Sequence, residues 1–114
     1  MSECLFCGIV KGDIKGDIVY QDSSIVAFKD ISPKAPVHIL VVPRKHISTL
    51  LDLELGDKGL MGDIFYAAAQ LAKDHGISKD GFRVVVNCGA GAGHSVFHIH
   101  FHLLGGRSFT WPPG

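Results

Sequence analysis

The 114-residue chain lacks a long apolar run, an excess of either charge and an N-terminal leader pattern. Eleven Lys and Arg residues balance eleven Asp and Glu residues, so no overall field draws the protein to nucleic acid or to an anionic membrane. No apolar stretch approaches the ~20 residues of a spanning helix. The first residues have neither the basic nor the apolar region of a secretory signal. We therefore expect a soluble cytoplasmic protein, with residues 1–114 forming a single domain and with no nucleic-acid or membrane partner.

Cysteine is also scarce, with three residues in the chain. In a cytoplasmic protein structural disulfides are rare, and paired cysteines more often bind metal or carry out redox chemistry. Cys4 and Cys7 are three residues apart in a segment, residues 4–11, that predicts a short amphipathic helix. A Cys-x-x-Cys alone fits a redox pair, half of a zinc site or coincidence. No strand precedes Cys4, as a thioredoxin-like site would require, and this favours zinc.

Two strands and a hairpin loop are predicted in the first third of the chain. Residues 18–20 and 25–28 are apolar, and the polar run between them predicts a β-hairpin. Residues 37–42 are almost continuously apolar, which is typical of a strand covered on both faces, and Pro43 ends its ladder. His38 interrupts this run, so it is either a hydrogen-bonded core residue or a partner for other histidines.

The middle of the chain predicts a long helix followed by another strand. Residues 57–75 carry apolar side chains at helical spacing, with Asp57 as a candidate N-cap and Gly76 as a stop. Residues 82–87 are rich in β-branched side chains and predict a strand. The helical face expected to pack in the core consists of Leu60, Met61, Ile64, Phe65, Ala68, Leu71 and Ala72.

Three histidines alternate with large apolar residues between His98 and Leu104. This alternation predicts a strand that presents His98, His100 and His102 on one face. The first and third would lie about 13 Å apart along such a strand, so one metal ion cannot bind all three. At least one of these imidazoles is therefore expected to carry out nucleophilic or acid–base chemistry. His46 is a candidate fourth metal ligand.

Residues 89–95 form a glycine-rich connection in front of the histidine segment. Glycines at alternate positions let backbone N–H groups approach an anion closely, as in phosphate-binding loops. No helix follows, so this is not a dinucleotide-binding fingerprint. A purely structural hairpin connection is the alternative. Asp30 has two interpretations as well, a solvated turn carboxylate or an acceptor for a ribose hydroxyl.

The histidine segment resembles the signature of the histidine triad (HIT) superfamily, in which three histidines alternate with apolar residues. The similarity is greatest to the Hint branch and covers nearly the whole chain. It implies an α+β fold with a five-stranded, mainly antiparallel sheet, one long helix and one short helix, and with the sheets of two chains joined across a homodimer. Beyond residues 98–104, the segments that carry it are residues 28–33, 36–38, 43–48, 85–87, 95–97, 104–107 and 111–114.

The resemblance implies a hydrolase that cleaves the P–N bond of purine nucleoside phosphoramidates and releases AMP or GMP. His100 resembles the nucleophile that forms a nucleotidyl-histidine intermediate, His102 a phosphate and leaving-group contact, and His38 the residue that orients His100. The alternatives are a dinucleoside polyphosphate hydrolase or nucleotidyltransferase of the same superfamily, or a nucleotide-binding regulatory or scaffold protein. The remaining nucleotide-binding positions implied are Phe6, Ile9, Phe28, Asp30, Ile31, Asn87, Gly93, His94 and Ser95, and Ser95 is also expected to assist catalysis.

Some prokaryotic members of the superfamily, and the related galactose-1-phosphate uridylyltransferases, resemble the chain in pairing a Cys-x-x-Cys with two histidines. The implied ligands of a structural Zn²⁺ are Cys4, Cys7, His46 and His98, with no open coordination position. No metal is expected at the catalytic centre. The chain departs from its Hint relatives at His94, where they commonly carry Gln.

Overall fold

The computed structural model describes residues 4–114, so the first three residues of the predicted domain lie outside the described part. Two α-helices and five strands form its framework. Their bounds are α1 Leu5–Lys11, β1 Ile18–Gln21, β2 Ile25–Lys29, β3 Val37–Pro43, α2 Lys58–Asp74, β4 Phe82–Val86 and β5 Phe101–Gly105. Short 3₁₀ turns lie at Leu50–Asp52, Leu55–Asp57 and Ala90–Ala92.

The five strands form one antiparallel sheet in the order β1-β2-β3-β5-β4. The predicted α+β class and the predicted hairpin are therefore confirmed. Helix α2 covers one face, where its buried side chains meet those of Ile39, Val41, Phe101 and Leu103. Helix α1 covers part of the other face. This two-sided burial explains the continuous apolar run of β3, as in strands that pack on both faces.

Strand β5 begins at Phe101, three residues later than the sequence predicted. The predicted row of three histidines on one strand is therefore wrong, because only His102 lies within β5. The register that pairs Val41 with Phe101 would place Pro43 opposite Ile99. Pro43 has no N–H to donate to the ladder, and its carbonyl instead contacts the His98 ring. The Ile99 N–H donates to the Ile47 carbonyl, which holds the segment before β5 outside the sheet.

Helix α1 has only seven residues, too few to be stable by itself in water. Its N-cap is Cys4, whose Sγ accepts the Cys7 N–H at 3.2 Å. Gly12 ends it with φ +86°, a left-handed conformation that favours glycine. Phe6 and Ile9 face the sheet and are buried. Its stability thus depends on this packing and on the groups that hold Cys4 and Cys7.

Helix α2 matches the predicted helix to within a residue at each end, but two details differ. Asp57 precedes the helix without capping it, because its carboxylate accepts the Glu54 N–H at 2.9 Å and the Lys45 ammonium at 2.7 Å. Phe65 was predicted in the core, yet 52% of it is exposed, because its ring packs on Phe101 from one side only. Among the described residues, no helix is both long and apolar enough to cross a membrane.

Candidate active site and metal centre

Four predicted metal ligands converge beneath the start of α1. The Nδ1 atom of His98 lies 3.4 Å from the Sγ atoms of both Cys4 and Cys7. The Nδ1 atom of His46 lies 3.2 Å from Cys7 Sγ and 3.2 Å from His98 Nδ1. All four ligand atoms lie within 4.8 Å of one another. The folding of α1 over the sheet thus brings together residues almost a hundred positions apart.

These distances fit a tetrahedral ion. With Zn–N of about 2.0 Å and Zn–S of about 2.3 Å, the corners of a tetrahedron lie about 3.3 Å apart for two nitrogens and about 3.5 Å for nitrogen and sulfur. His98 is completely buried, and its Nε2 lies 2.8 Å from the Pro43 carbonyl. Since a carbonyl only accepts, Nε2 carries the proton, and the lone pair on Nδ1 points into the cluster. The residues therefore fit a four-coordinate metal.

A second group that could hold a metal, Asp30, His38 and His102, has a different geometry. His38 Nε2 lies 2.9 Å from His102 Nδ1, which is a hydrogen-bond distance and is shorter than the ~3.3 Å between two nitrogens of a tetrahedral zinc site. The Asp30 carboxylate is 3.4 Å from His38 Nε2. His38 and His102 are better described as a hydrogen-bonded pair, with the Asp30 carboxylate as a nearby charge.

A backbone contact determines which of the two rings donates the hydrogen bond between His38 and His102. The Lys34 N–H donates to His38 Nδ1 at 3.0 Å, so neutral His38 carries its proton on Nε2 and donates it to His102 Nδ1. Neutral His102 must then carry its own proton on Nε2. Burial, followed by the neighbouring His100 and His38, lowers the pKa of His102 to about 4. Burial also lowers the pKa of His38, although the nearby Asp30 opposes this.

His100 has the complementary arrangement. Its Nδ1 lies 2.9 Å from the carbonyl oxygen of His98, so Nδ1 carries the proton and Nε2 has the lone pair. Burial lowers the pKa of His100, which favours the neutral ring. The sequence predicted that His38 would orient His100, but this is not observed: His38 contacts His102, and the His98 carbonyl orients His100. A nucleophilic nitrogen and a hydrogen-bond donor thus lie on neighbouring rings, 5.1 Å apart between centroids.

Phe6 connects α1 to this pair of rings. Its ring meets His100 edge-on at 5.0 Å and Phe28 at 5.3 Å between centroids. Phe6, Phe28 and Ile9 belong to one buried cluster, the apolar wall beside His100. Ile31 is separate from it, because it lies in the loop after β2 and is 99% exposed.

The glycine-rich connection lies on the other side of His100. The His94 ring is buried, 5.9 Å from the His100 ring between centroids, while Gly93 and Ser95 are exposed. A cleft of about 500 Å³ between this loop and the metal centre is lined by Cys4, Leu5, His46, Ser48, Ser95, Val96 and Phe97. Asn87 follows β4 directly and precedes the loop. The arrangement offers a neutral nucleophile beside a loop suited to an anion.

Two groups that determine the histidine tautomers could not be found from the sequence. They are the Lys34 N–H, which sets the tautomer of His38, and the Pro43 carbonyl, which sets that of His98. Both are backbone groups, so no side-chain pattern marks them. The two prolines that flank Lys34 indicate an irregular segment, and that is the nearest signal the sequence offers.

The fold and this pair of sites define a class of protein. The chain belongs to the HIT domain family, whose model matches residues 11–109. It is 44% identical over 105 residues to the purine nucleoside phosphoramidase of Escherichia coli, an alignment that covers 92% of this chain and 88% of that protein. The HIT family hydrolase from Legionella pneumophila superposes with a TM-score of 0.96 at 48% identity, over 98% of this chain and all of that one. A histidine triad protein from Clostridium difficile gives a TM-score of 0.93 at 39% identity, covering 96% of each chain.

Proposed function

We propose that the protein hydrolyses purine nucleoside phosphoramidates to the nucleoside 5′-monophosphate through a nucleotidyl-His100 intermediate. The observation that carries the proposal is the hydrogen bond from His100 Nδ1 to the His98 carbonyl, because it leaves the lone pair of a neutral ring on Nε2. An imidazole is a suitable phosphoryl nucleophile, since it attacks when neutral and leaves readily once phosphorylated. The identity to the E. coli phosphoramidase supports the same chemistry.

The reaction then has two displacements. His100 Nε2 attacks the α-phosphorus, the P–N bond breaks, and the amine leaves with its electron pair and takes a proton from the solvent. Water next attacks the same phosphorus. The bond to Nε2 breaks, its electron pair returns to His100, and the water proton returns to the solvent. The Nε2–H of His102 donates to a phosphate oxygen or to the leaving group throughout, and His38 fixes its direction.

The remaining groups bind the nucleotide. Asp30 accepts from a ribose hydroxyl. The apolar wall of Phe6, Ile9 and Phe28 contacts the base, and the exposed Ile31 contacts it from the loop after β2. Backbone N–H groups near Gly93 stabilise the phosphate oxygens, while Asn87 and Ser95 contact the phosphate and the leaving group. His94, for which the family resemblance implies such a contact, has both ring nitrogens hydrogen-bonded within its own loop and is not assigned one here. AMP, GMP and their phosphoramidates are the proposed ligands.

The metal centre has a structural role in this proposal. Cys4, Cys7, His46 and His98 would hold one Zn²⁺ with four protein ligands, so the site would be structural and would not act as a Lewis acid on the substrate. Its contribution is to fix α1, and with it Phe6, against the sheet. His98 connects the two sites, since its ring faces the metal and its carbonyl orients His100.

We also propose that the active protein is a homodimer joined through β4. Strand β4 is an edge of the sheet, and an exposed apolar edge is otherwise prone to unspecific pairing. Phe65 and Phe82 are 52% and 39% exposed, and Trp111 of the C-terminal tail is 83% exposed. A second copy of the chain would cover these side chains.

The test is the turnover of an adenosine phosphoramidate by wild type and by His100→Ala. We expect the variant to lose activity by about 10³-fold or more while it keeps its fold and its affinity for AMP. Turnover by the variant at the wild-type rate would exclude the nucleophile assignment. If the wild-type protein cleaves dinucleoside polyphosphates and leaves phosphoramidates intact, the first alternative function replaces this one. If it binds AMP without turning over either substrate, a regulatory role is favoured.

A further inference from the structure

Both ring nitrogens of His94 contact backbone groups of the loop that carries it. The Gly89 N–H donates to His94 Nδ1 at 3.2 Å, and His94 Nε2 lies 2.8 Å from the Val96 carbonyl oxygen. An amide N–H only donates and a carbonyl only accepts, so Nδ1 is unprotonated and Nε2 carries the proton. The neutral ring therefore uses both its acceptor and its donor inside residues 89–96.

A backbone hydrogen bond adds to these two contacts of the ring. The His94 N–H donates to the Gly89 carbonyl at 3.1 Å, so Gly89 and His94 exchange two hydrogen bonds in opposite directions. Gly89 and Gly93 have φ of +90° and +84°, conformations that glycine adopts readily and other residues do not. A loop built on such glycines has many conformations available to it when unrestrained, and the two hydrogen bonds of the His94 ring oppose that freedom.

The ring is also packed in place. Only 6% of His94 is exposed, with the Phe97 ring 4.4 Å away at an interplanar angle of 32° and the His100 ring 5.9 Å away. To reach a leaving group, either nitrogen would have to break a hydrogen bond within the loop. His94 is thus placed to hold the loop, and it lies close enough to pack against the proposed nucleophile.

We propose that His94 is a positioning residue: it clasps residues 89–96 in the conformation that presents Ser95 and the loop N–H groups to the phosphate, and it does not contact the leaving group. The identity of that phosphate rests on the proposed function, whereas the clasp belongs to the protein without ligand. Glutamine can reproduce both roles of the ring, since its amide oxygen accepts and its amide nitrogen donates. Phenylalanine keeps the ring and its packing but has neither group.

The experiment compares wild type, His94→Phe and His94→Gln by three measurements. Amide hydrogen exchange is followed at residues 89–96 without ligand, with β3 as the internal reference. Steady-state kinetics with an adenosine phosphoramidate gives kcat and KM separately, each as a function of pH. In His94→Phe we expect faster exchange in the loop alone and a kcat lower by about tenfold or more, with KM little changed. His94→Gln regains most of both losses.

Other results would overturn the proposal. Loop exchange and kcat at wild-type values in His94→Phe would show that the clasp is dispensable. Equal losses of kcat in both variants, with unchanged exchange and a shifted pH profile, would instead make His94 an acid that acts on the leaving group.

The test stays decisive in two other cases. If His94→Phe does not fold, the ¹⁵N shifts of the wild-type ring decide the matter, because a proton on Nδ1 contradicts the clasp. If the wild-type protein turns over no phosphoramidate, the proposed function fails while the exchange comparison still tests His94.

Discussion

At the scale of single residues, backbone groups decide which nitrogen of each histidine is protonated. The Lys34 N–H fixes the tautomer of His38, and His38 in turn fixes that of His102. The Pro43 carbonyl fixes the tautomer of His98, and the His98 carbonyl fixes that of His100. Chemically identical side chains are thereby suited to the three different roles that we propose for them: metal ligand, nucleophile and hydrogen-bond donor. The sequence could reveal that histidines cluster, because the alternation is visible in it. It could not reveal these assignments, because backbone partners carry no side-chain signal.

The lowered pKa of His102 predicts that stability falls in mild acid. Its pKa is about 4 in the folded protein and ~6.5 in the unfolded chain, so the unfolded state binds the proton more readily. Stability is therefore highest above pH ~6.5 and decreases as the pH falls towards 4. We expect His102→Gln to reduce the steepness of this decrease, measured by denaturant unfolding at a series of pH values. Above pH ~6.5 the free energies of unfolding of the two proteins should differ by a constant amount. Plots of that free energy against pH that stay parallel down to about pH 5 would contradict the prediction.

At the scale of elements, the sequence located all five strands and both helices but misplaced the start of β5. Pattern alone extends β5 back to His98, since Ile99 and Phe101 alternate with histidines and both are buried with α2. Two facts of the tertiary structure stop it. Pro43 occupies the opposing ladder position, and the His98 ring must face Cys4 and Cys7. The position of His98 beside Cys4 and Cys7 thus accounts, together with Pro43, for the late start of β5.

The short length of α1 predicts that its stability depends on the metal that Cys4 and Cys7 are proposed to bind. A seven-residue helix is held by Phe6, Ile9 and its two cysteines, and Phe6 also contacts His100. Loss of zinc by Cys7→Ser should lower Tm by about 10 °C or more, and should raise KM more than it lowers kcat. Metal analysis of the wild-type protein, purified without chelator, should find about one zinc per chain.

The third cysteine supplies the matched control for that experiment. Cys88 lies outside the cluster, so Cys88→Ser should keep the zinc, the Tm and the KM of wild type. If Cys7→Ser and Cys88→Ser behave alike in all three measurements, the cysteine–histidine cluster does not hold a structural ion.

At the scale of the whole molecule, the sheet ends in two edge strands, β1 and β4. Phe82 of the edge strand β4 and Phe65 of α2, whose ring packs on Phe101 of the next strand, both leave large apolar surfaces exposed, although the sequence predicts Phe65 in the core. The periodicity of α2 identifies an apolar face correctly but does not say whether the chain itself or a second copy buries it. The proposed homodimer would cover the part of that face that the chain itself leaves exposed.

This yields a prediction on assembly. Phe65→Lys places a charge where the second subunit would pack, and burying an unpaired charge is costly, so the variant should sediment as a monomer while wild type sediments as a dimer. Tyr66→Lys is the matched control, because Tyr66 is the next residue of the same helix, is 70% exposed and faces a groove beside Tyr20 and Ser24. It should remain dimeric. A monomeric wild-type protein, or a dimeric Phe65→Lys, would contradict the β4 interface, and dissociation by both variants would place the contact along α2 as a whole.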